Sequence, residues 1–215
     1  MTRISCYIDG FNLYHSIVDI SKSKTPHANY LKWLNLRSLA ECFLKEKQQL
    51  NDVYYFSAYA KHVFDAYKRH EKYVKVLEKY NVSVVLGQFK EKFPKCKICH
   101  KQYKTHEEKE SDINIALEIL QDAFNDSFDK AFLITADSDL IAIVKKMQTL
   151  FSQKEIILLI PPGRNKIATE LKKNVAVWYE IKESHLKQCL LPEFNALNDG
   201  TIITRPIEYN PPPTI

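Results

Sequence analysis

Two short apolar runs that end in aspartates decide the fold: ISCYIDGFN at residues 4–12 and AFLITADSD at residues 131–139. Each run has the length of a strand and is followed by a helical pattern. In an open parallel sheet, ligands bind beyond the carboxyl ends of the strands, where these aspartates would gather. Carboxylates placed together repel each other unless a cation joins them. The two runs therefore predict a divalent-metal site and, with it, phosphate chemistry.

Strand and helix patterns alternate along the rest of the chain. Strands are predicted at residues 3–9, 53–56, 82–86, 131–136, 156–160 and 175–179. Helices are predicted at residues 10–20, 36–44, 64–80, 109–125, 139–150 and 165–173, with a polar loop at residues 21–26. Because the strands are continuously apolar, we expect an α/β fold of three layers (αβα), in which helices cover both faces of a central, mainly parallel sheet.

The composition is that of an ordinary globular protein, since 45% of the 215 residues are hydrophobic and 27% are charged. This length permits one sizeable domain, which we place at residues 1–194. A proline-rich tail at residues 195–215 is either disordered or packed on that domain. We expect no membrane span and no signal peptide, because every apolar stretch is short and the first strand begins almost at once.

The cysteines favour a reducing cytoplasm, because five of them at irregular spacing do not form a disulfide framework. Cys6, Cys42 and Cys189 lie in apolar patterns and are predicted to be core residues.

The aspartates that follow the two runs each have a simpler interpretation. Asp9 either caps the next helix or belongs to a ligand site together with Asn12. Asp137, Ser138 and Asp139 place two carboxylates and a hydroxyl within three residues, which suits a hard cation with oxygen ligands. The alternative is that one of the two acids only caps the helix that starts there.

Asp112 opens a helix whose apolar stripe continues at Ala116, Ile119 and Ala123. The spacing places Asp112 at the N-terminal end of the buried face, where a carboxylate needs a partner. Either a ligand or the helix macrodipole could provide it. The preceding run, Glu107-Glu108-Lys109-Glu110, is predicted to be solvated, and the alternative is that Glu110 or Lys109 reaches the site.

Several classes of enzyme are excluded. The chain has four glycines, which is too few for a phosphate-binding P-loop or a dinucleotide-binding fingerprint. No serine lies in a nucleophile-elbow pattern. No second acid follows Asp9 two residues later, which argues against a phosphatase with an aspartyl-phosphate intermediate.

A basic arm at residues 88–106 is inserted before the acidic helix. Its lysines are predicted to contact a phosphate backbone, with the nearby aromatic residues stacking on bases. These lysines are Lys90, Lys92, Lys95, Lys97, Lys101 and Lys104. The alternative is a solvated hairpin whose lysines only protect a sheet edge.

Cys96 and Cys99 in the arm have the spacing of half a zinc site, and His106 follows closely. One interpretation is a structural zinc ion on these three residues. The other is that they are ordinary loop residues, because no second cysteine pair completes the site.

Three motifs together resemble the NYN domain, a branch of the PIN-like fold related to FLAP nucleases. They are YIDGFNLY at residues 7–14, ESDINIA at residues 110–116 and LITADSDL at residues 133–140. Their order and spacing match from about residue 3 to residue 192. The segments at residues 161–164 and 190–192 also look like later parts of that family.

The resemblance implies a central parallel sheet in which the first and fourth strands are adjacent. It implies a ribonuclease in which Asp9, Asp112, Asp137 and Asp139 hold one or two Mg²⁺ or Mn²⁺ ions. Asn12 and Ser138 match polar positions around that site.

On this basis we expect hydrolysis of RNA phosphodiester bonds by a metal-activated water, with the arm lysines and Arg164 neutralising phosphates. One alternative is a non-catalytic RNA-binding or adaptor protein that retains the fold, and another is a phosphatase for small esters. A homo-oligomer and a partner protein for the tail also remain open.

Overall fold

The computed structural model describes residues 1–23 and 28–212, in which strands and helices alternate as expected. The strands are β1 (Thr2–Asp9), β2 (Gln48–Ser57), β3 (Ser83–Leu86), β4 (Gln88–Lys92), β5 (Thr105–Lys109), β6 (Lys130–Ile134), β7 (Glu155–Ile160), β8 (Val177–Glu180), β9 (Phe194–Ala196) and β10 (Ile202–Thr204). The α-helices are α1 (Gly10–Ser23), α2 (Leu36–Glu41), α3 (Phe64–Lys79), α4 (Ser111–Phe124), α5 (Ile141–Leu150), α6 (Thr169–Lys172) and α7 (Glu183–Gln188). Short 3-10 turns lie at Ala28–Lys32, Ser138–Leu140 and Ile207–Tyr209.

Six strands form one parallel sheet in the order β3-β2-β1-β6-β7-β8. The strand order runs outward from β1 in one direction and from β6 in the other, so the sheet has its topological switch point between these two strands. The first and fourth predicted strands, which are β1 and β6 in the structure, are adjacent, as the resemblance implied. Since the carboxyl ends of both strands lie at this point, the residues that follow them share one crevice.

Helices cover both faces of the sheet, which confirms the three-layer α/β fold. Ile4, Cys6 and Ile8 of β1 point to one face, where they pack with apolar residues of α1, α2, α3 and α7. Tyr7 points to the opposite face, where it packs with residues of α4, α5 and α6. The alternation of side chains along β1 therefore assigns Asp9 to the α4 face, because it is two residues beyond Tyr7.

The basic arm is an antiparallel hairpin of β4 and β5 that is separate from the main sheet. Its second strand continues to Lys109, and the register pairs Gln88 with Lys109 at the base of the hairpin. The acids Glu107 and Glu108 are partly buried in this strand. The prediction of a solvated run at residues 107–110 is therefore wrong for these two residues, because pairing with β4 leaves them only partly exposed.

Other elements differ from the sequence prediction in their bounds. The predicted polar loop at residues 21–26 starts too early, because α1 continues to Ser23; residues 24–26 lie outside the described part of the chain. Within residues 165–173 only Thr169–Lys172 is α-helical. Cys42 is exposed, so its assignment to the core was wrong, whereas Cys6 and Cys189 are buried. The Sγ atoms of Cys42 and Cys189 are 3.4 Å apart.

The proline-rich tail packs on the body over its described part, with β9 and β10 forming a small antiparallel hairpin. Ile203 of β10 is buried against Trp33, Val76 and Leu191. The last three tail residues, 213–215, lie outside the described part of the chain. None of the helices in residues 1–23 and 28–212 combines the length and apolar character that crossing a bilayer requires.

Trp33 connects the tail to the body. Its side chain is fully buried, and its indole Nε1 donates a hydrogen bond of 2.9 Å to the Pro192 carbonyl. Its own carbonyl accepts from the Leu191 backbone N–H at 3.0 Å. The residue is thus both a core side chain and the anchor for the segment that precedes β9.

We expect Trp33→Ala to lower the free energy of unfolding by about 3–5 kcal/mol, because the substitution leaves a large cavity and removes the hydrogen bond to the Pro192 carbonyl. Trp33→Phe should cost less, since it keeps most of the apolar contact and loses mainly the hydrogen bond. Urea denaturation of both variants measures the difference. A loss below about 1 kcal/mol for the alanine variant would show that the tail anchor contributes little.

Candidate active site

Asp9 lies at the carboxyl end of β1, and its side chain is almost completely buried, with 5% exposure. Its Oδ1 accepts a hydrogen bond of 2.9 Å from the backbone N–H of Asn12, so Asp9 does cap α1. Its Oδ2 accepts a bond of 2.8 Å from the hydroxyl of Thr135, which follows β6. The two interpretations of Asp9 are therefore compatible, because one oxygen of its carboxylate caps α1 and the other contacts the residue that follows β6.

The segment after β6 is tied to the same point. The Asn12 Oδ1 accepts a bond of 3.1 Å from the backbone N–H of Ala136, and the Thr135 Oγ1 accepts one of 3.0 Å from Asp137 N–H. The Asp137 Oδ1 in turn accepts from Asp139 N–H at 3.0 Å and caps the 3-10 turn Ser138–Leu140. Of the two acids, Asp137 is therefore the cap. Ser138 and Asp139 are exposed.

Asp112 is the second residue of α4 and lies at the N-terminus of the helix that covers this face of the sheet. Glu108 of β5 lies beside it and accepts hydrogen bonds from the backbone and hydroxyl of Ser111, at 3.2 Å and 2.5 Å. Glu110 between them has a left-handed backbone with φ of 83°. This turn brings the acidic base of the arm hairpin next to the aspartates.

The aspartates are close enough to disturb each other electrostatically. Burial raises the pKa of Asp9 to about 6, and Asp112 and Asp137 add to the rise, against the hydrogen bonds from Asn12 and Thr135. Burial also raises the pKa of Asp112 to about 6, with further contributions from Asp137, Glu108 and Asp139. Among the described residues, no lysine or arginine is one of the main contributors to either shift.

The donor set fits a hard divalent cation, since it consists of carboxylate, amide and hydroxyl oxygens without sulfur or imidazole. Two of the carboxylates have a raised pKa, mainly because burial disfavours their charged form and to a smaller extent because other acids lie close by. Over residues 1–23 and 28–212, however, no three His, Cys, Asp or Glu side chains are grouped closely enough to hold a metal ion between them. The four predicted aspartates therefore lie near one another, but the described structure does not bring three of them close enough to bind one ion together.

Two residues at this site were missed at the level of sequence, Thr135 and Glu108. Thr135 lies in the motif LITADSD, and its place two residues beyond Leu133 puts it on the α4 face, so strand alternation could have identified it. Glu108 gave no comparable signal. Its position depends on the pairing of β5 with β4, which the charge run alone does not reveal.

The six arm lysines are all exposed, but they are not equivalent. Lys92 forms an ion pair with Glu107, and Lys104 forms one with Glu91 at 2.5 Å. Lys90, Lys95, Lys97 and Lys101 have no ion pair within the described residues. Arg164 follows β7 at the same edge of the sheet, and its guanidinium contacts Asp19 at 2.5 Å. The free positive charge is therefore concentrated toward the tip of the arm.

The predicted zinc set of Cys96, Cys99 and His106 is not brought together. In the hairpin register His106 lies opposite Glu91, whereas the cysteines lie in the turn beyond the Lys95–Gln102 bridge. The His106 ring instead stacks on His62 with 3.7 Å between centroids. Within residues 1–23 and 28–212 these three residues form no group that could hold a metal ion, so structural zinc on them stays a prediction. The base of the arm is held to α1 through Phe89, whose ring lies 5.6 Å from that of Phe11.

Comparison with known proteins supports the resemblance found in the sequence. A family model described as the NYN domain matches residues 3–182, which confirms that resemblance. A solved structure of a protein of unknown function from Vibrio parahaemolyticus has a TM-score of 0.51 and 14% identity, covering 88% of this chain and 96% of that one. At this identity the likeness shows the fold alone. A comparison with curated proteins gave no significant match.

We expect Asp112→Asn to stabilise the metal-free protein at pH 7.5, because the pKa of Asp112 is raised to about 6. A carboxyl group whose pKa is higher in the folded state costs stability as the pH rises from about 4 through that value. The gain should be about 1–2 kcal/mol at pH 7.5, allowing for partial exposure, and should vanish near pH 4. Urea denaturation in EDTA at both pH values measures it.

Asp65→Asn is the matched control, since Asp65 is also the second residue of a helix, α3, but is exposed. This variant should be neutral or slightly destabilised at both pH values, because it only loses a favourable charge at a helix N-terminus. If both variants respond alike, the effect comes from the helix position and not from the neighbouring carboxylates.

Proposed function

The chain belongs to the NYN domain family, whose model matches residues 3–182, and we propose that it is a divalent-metal-dependent ribonuclease. NYN domains are generally nucleases, so the family supports a hydrolase acting on nucleic acid. The observation that carries the proposal is the pair of acids with raised pKa, Asp9 and Asp112, at the switch point of the sheet. Ligand sites of open parallel sheets lie at this point.

Asp9, Asp112, Asp137 and Asp139 would hold one or two Mg²⁺ or Mn²⁺ ions, with Asn12 and Ser138 as additional oxygen donors. When bound, such ions supply Lewis acidity that lowers the pKa of a water and stabilises the leaving oxygen of the phosphodiester. The protein contributes position: the hydrogen bonds to both Asp9 oxygens fix the orientation of that carboxylate before substrate arrives. No nucleophilic side chain is required.

The protonation state of the acids sets the pH range of this site. Asp9 and Asp112 bind protons with a pKa of about 6, so below that pH each proton competes with a cation for the same oxygens. Above it both carboxylates are charged, and their mutual repulsion favours binding of a cation. Activity should therefore rise with pH through this range.

The arm gives a reason to propose RNA as the substrate. Lys90, Lys95, Lys97 and Lys101 are exposed and unpaired in the described structure, and they extend from a hairpin whose base contacts α1 beside Asp9. Such a row of charges suits a polyanion longer than a small phosphate ester. A non-catalytic RNA-binding protein would share this feature, and turnover separates it from a nuclease.

We expect Asp137→Asn to abolish cleavage of a labelled RNA in Mg²⁺ or Mn²⁺, with a loss of about 10²–10⁴-fold. Asparagine is a good helix cap and can accept the same bond from Asp139 N–H, so folding should be retained. The measurement is the single-turnover rate, with RNA binding measured in parallel in EDTA.

The control for the catalytic variant is again Asp65→Asn, which should cleave RNA at the rate of the unmodified chain. Undiminished cleavage by Asp137→Asn would refute the proposed metal site. Absence of cleavage by the unmodified chain in either metal, with RNA still bound, would favour the non-catalytic alternative.

We expect the triple variant Lys95→Gln, Lys97→Gln, Lys101→Gln to weaken RNA binding and to lower the slope of log affinity against log salt by about 2–3, because each phosphate contact releases counterions. Fluorescence anisotropy between 50 and 200 mM salt measures this slope.

A control with equal loss of charge replaces Lys72, Lys75 and Lys79 of α3 by glutamine, since these residues lie on a helix that runs away from the site. Its salt slope should equal that of the unmodified chain. Equally weakened RNA binding in both triple variants would show that RNA affinity depends only on net charge and that the arm does not contact RNA specifically.

A further inference from the structure

A cavity opens at the same edge of the sheet as the candidate active site, but on the opposite face from the aspartates. It has a volume of about 160 Å³ and lies between α1, the end of β2, α3 and the tail. Aromatic rings dominate its lining, and they come from four separate parts of the chain: Tyr14, Tyr55, Tyr73 and Tyr209. None of these residues has a role in the site described above.

The cavity also contains cationic side chains. Lys32 lies with its Nζ 5.2 Å from the centroid of the Tyr14 ring and 5.9 Å from that of Tyr209. Burial, Arg69 and Lys22 all lower the pKa of Lys32, and no described carboxylate counteracts them. Arg69 contacts Glu208 at 3.1 Å and also interacts electrostatically with Asp65, so both of these acids are associated with Arg69 and not with Lys32. The partly buried ammonium of Lys32 therefore lacks an anion.

The histidine in the cavity does not add to this charge. Burial lowers the pKa of His70 to about 4, so the ring is neutral at physiological pH. Its Nε2 lies 3.4 Å from the hydroxyl of Tyr55. The walls thus offer aromatic rings and neutral hydrogen-bonding groups, and within residues 1–23 and 28–212 no carboxylate counters the charge of Lys32.

The cavity is adjacent to the candidate active site. Gly10, which follows Asp9 directly, and Phe11 both line it. Asp9 is also close enough to contribute to the raised pKa of Tyr55. A strand of nucleic acid that crosses the carboxyl end of β1 would pass from the aspartates to the tyrosines without leaving the protein surface.

We propose that this cavity binds one nucleotide of the RNA strand next to the cleaved phosphodiester, with the base among the tyrosines and a phosphate at Lys32 and Arg69. Bases stack on aromatic side chains, and phosphates are held by lysine and arginine. A cavity of this size admits one ring system and not a base pair, so the substrate is single-stranded here. The inference rests on the proposed ribonuclease function, because the occupant is a unit of its substrate.

The experiment measures binding in EDTA, where cleavage is not required. A fluorescent single-stranded oligonucleotide is titrated with the full chain and with Lys32→Gln and Tyr14→Leu, of which the second keeps apolar bulk at a partly exposed position. Each substitution should weaken binding about tenfold, which is the effect of losing one stacked base or one phosphate contact.

Lys45→Gln is the matched control, since Lys45 also lies over a tyrosine ring, 5.6 Å from the centroid of Tyr179, but precedes β2 at the other edge of the sheet. It should bind the oligonucleotide as the unmodified chain does. A melting curve for each variant verifies that the fold is retained.

Equal binding by all variants would overturn the proposal, whatever the cleavage assay shows. Weaker binding by Lys32→Gln alone would also overturn it, because a phosphate contact without stacking is not a nucleotide site.

Titration with adenosine and uridine monophosphates separates the sources of the ligand. If these bind in the cavity and the oligonucleotide does not compete, the site takes free nucleotides and the RNA assignment fails. Loss of oligonucleotide binding with both variants, in a chain that never cleaves RNA, would support the cavity and refute the nuclease.

Discussion

The hydrogen bond from Thr135 to the buried carboxylate of Asp9, at 2.8 Å, joins the two strands on which the rest of the structure depends. β1 and β6 are neighbours at the only reversal of strand order in the main sheet of the described chain, and their carboxyl ends open the crevice there. The other oxygen of Asp9 caps α1 through Asn12 N–H, and the Asn12 side chain accepts from Ala136. One carboxylate therefore sets the direction of the first helix, the conformation after β6 and the position of the aspartates that follow.

This arrangement has an electrostatic cost that the fold does not remove. Burial of Asp9 and Asp112 near other acids raises both pKa values to about 6. In a purely structural role, an uncharged hydrogen-bonding residue would make the same cap without the repulsion. Perturbed acids in a crevice are characteristic of functional sites, because a site built for a cation must hold negative charge together in advance. The free-energy cost of ionising Asp9 and Asp112 thus arises at the crevice itself, where a bound cation would reduce it.

The sequence predicted what depends on local pattern. Continuous apolar runs predicted the strands of the parallel sheet, and the spacing of Asp112 within its helix predicted a carboxylate that is not fully exposed, as the structure has it. What the sequence could not predict depends on contacts between distant segments. Glu108 reaches the site only because β5 pairs with β4, and the same register removes His106 from the cysteine turn. Tyr209 lies in a tail without any periodicity, and its place beside Lys32 follows from packing alone.

Gly10 lies between the candidate active site on one face of the sheet and the aromatic cavity on the other. A Cβ atom at this position would lie 2.5 Å from the Phe56 carbonyl and 2.5 Å from the Tyr55 ring, so only glycine permits α1 to begin this close to β2. The close approach brings Tyr55 against the start of the helix that Asp9 caps. A larger residue would have to displace either the helix start or the tyrosine wall, and each displacement would reach the other site. The aspartates and the aromatic cavity therefore share one closely packed segment, residues 9–11, in which Asp9 belongs to the candidate active site and Gly10 and Phe11 line the cavity.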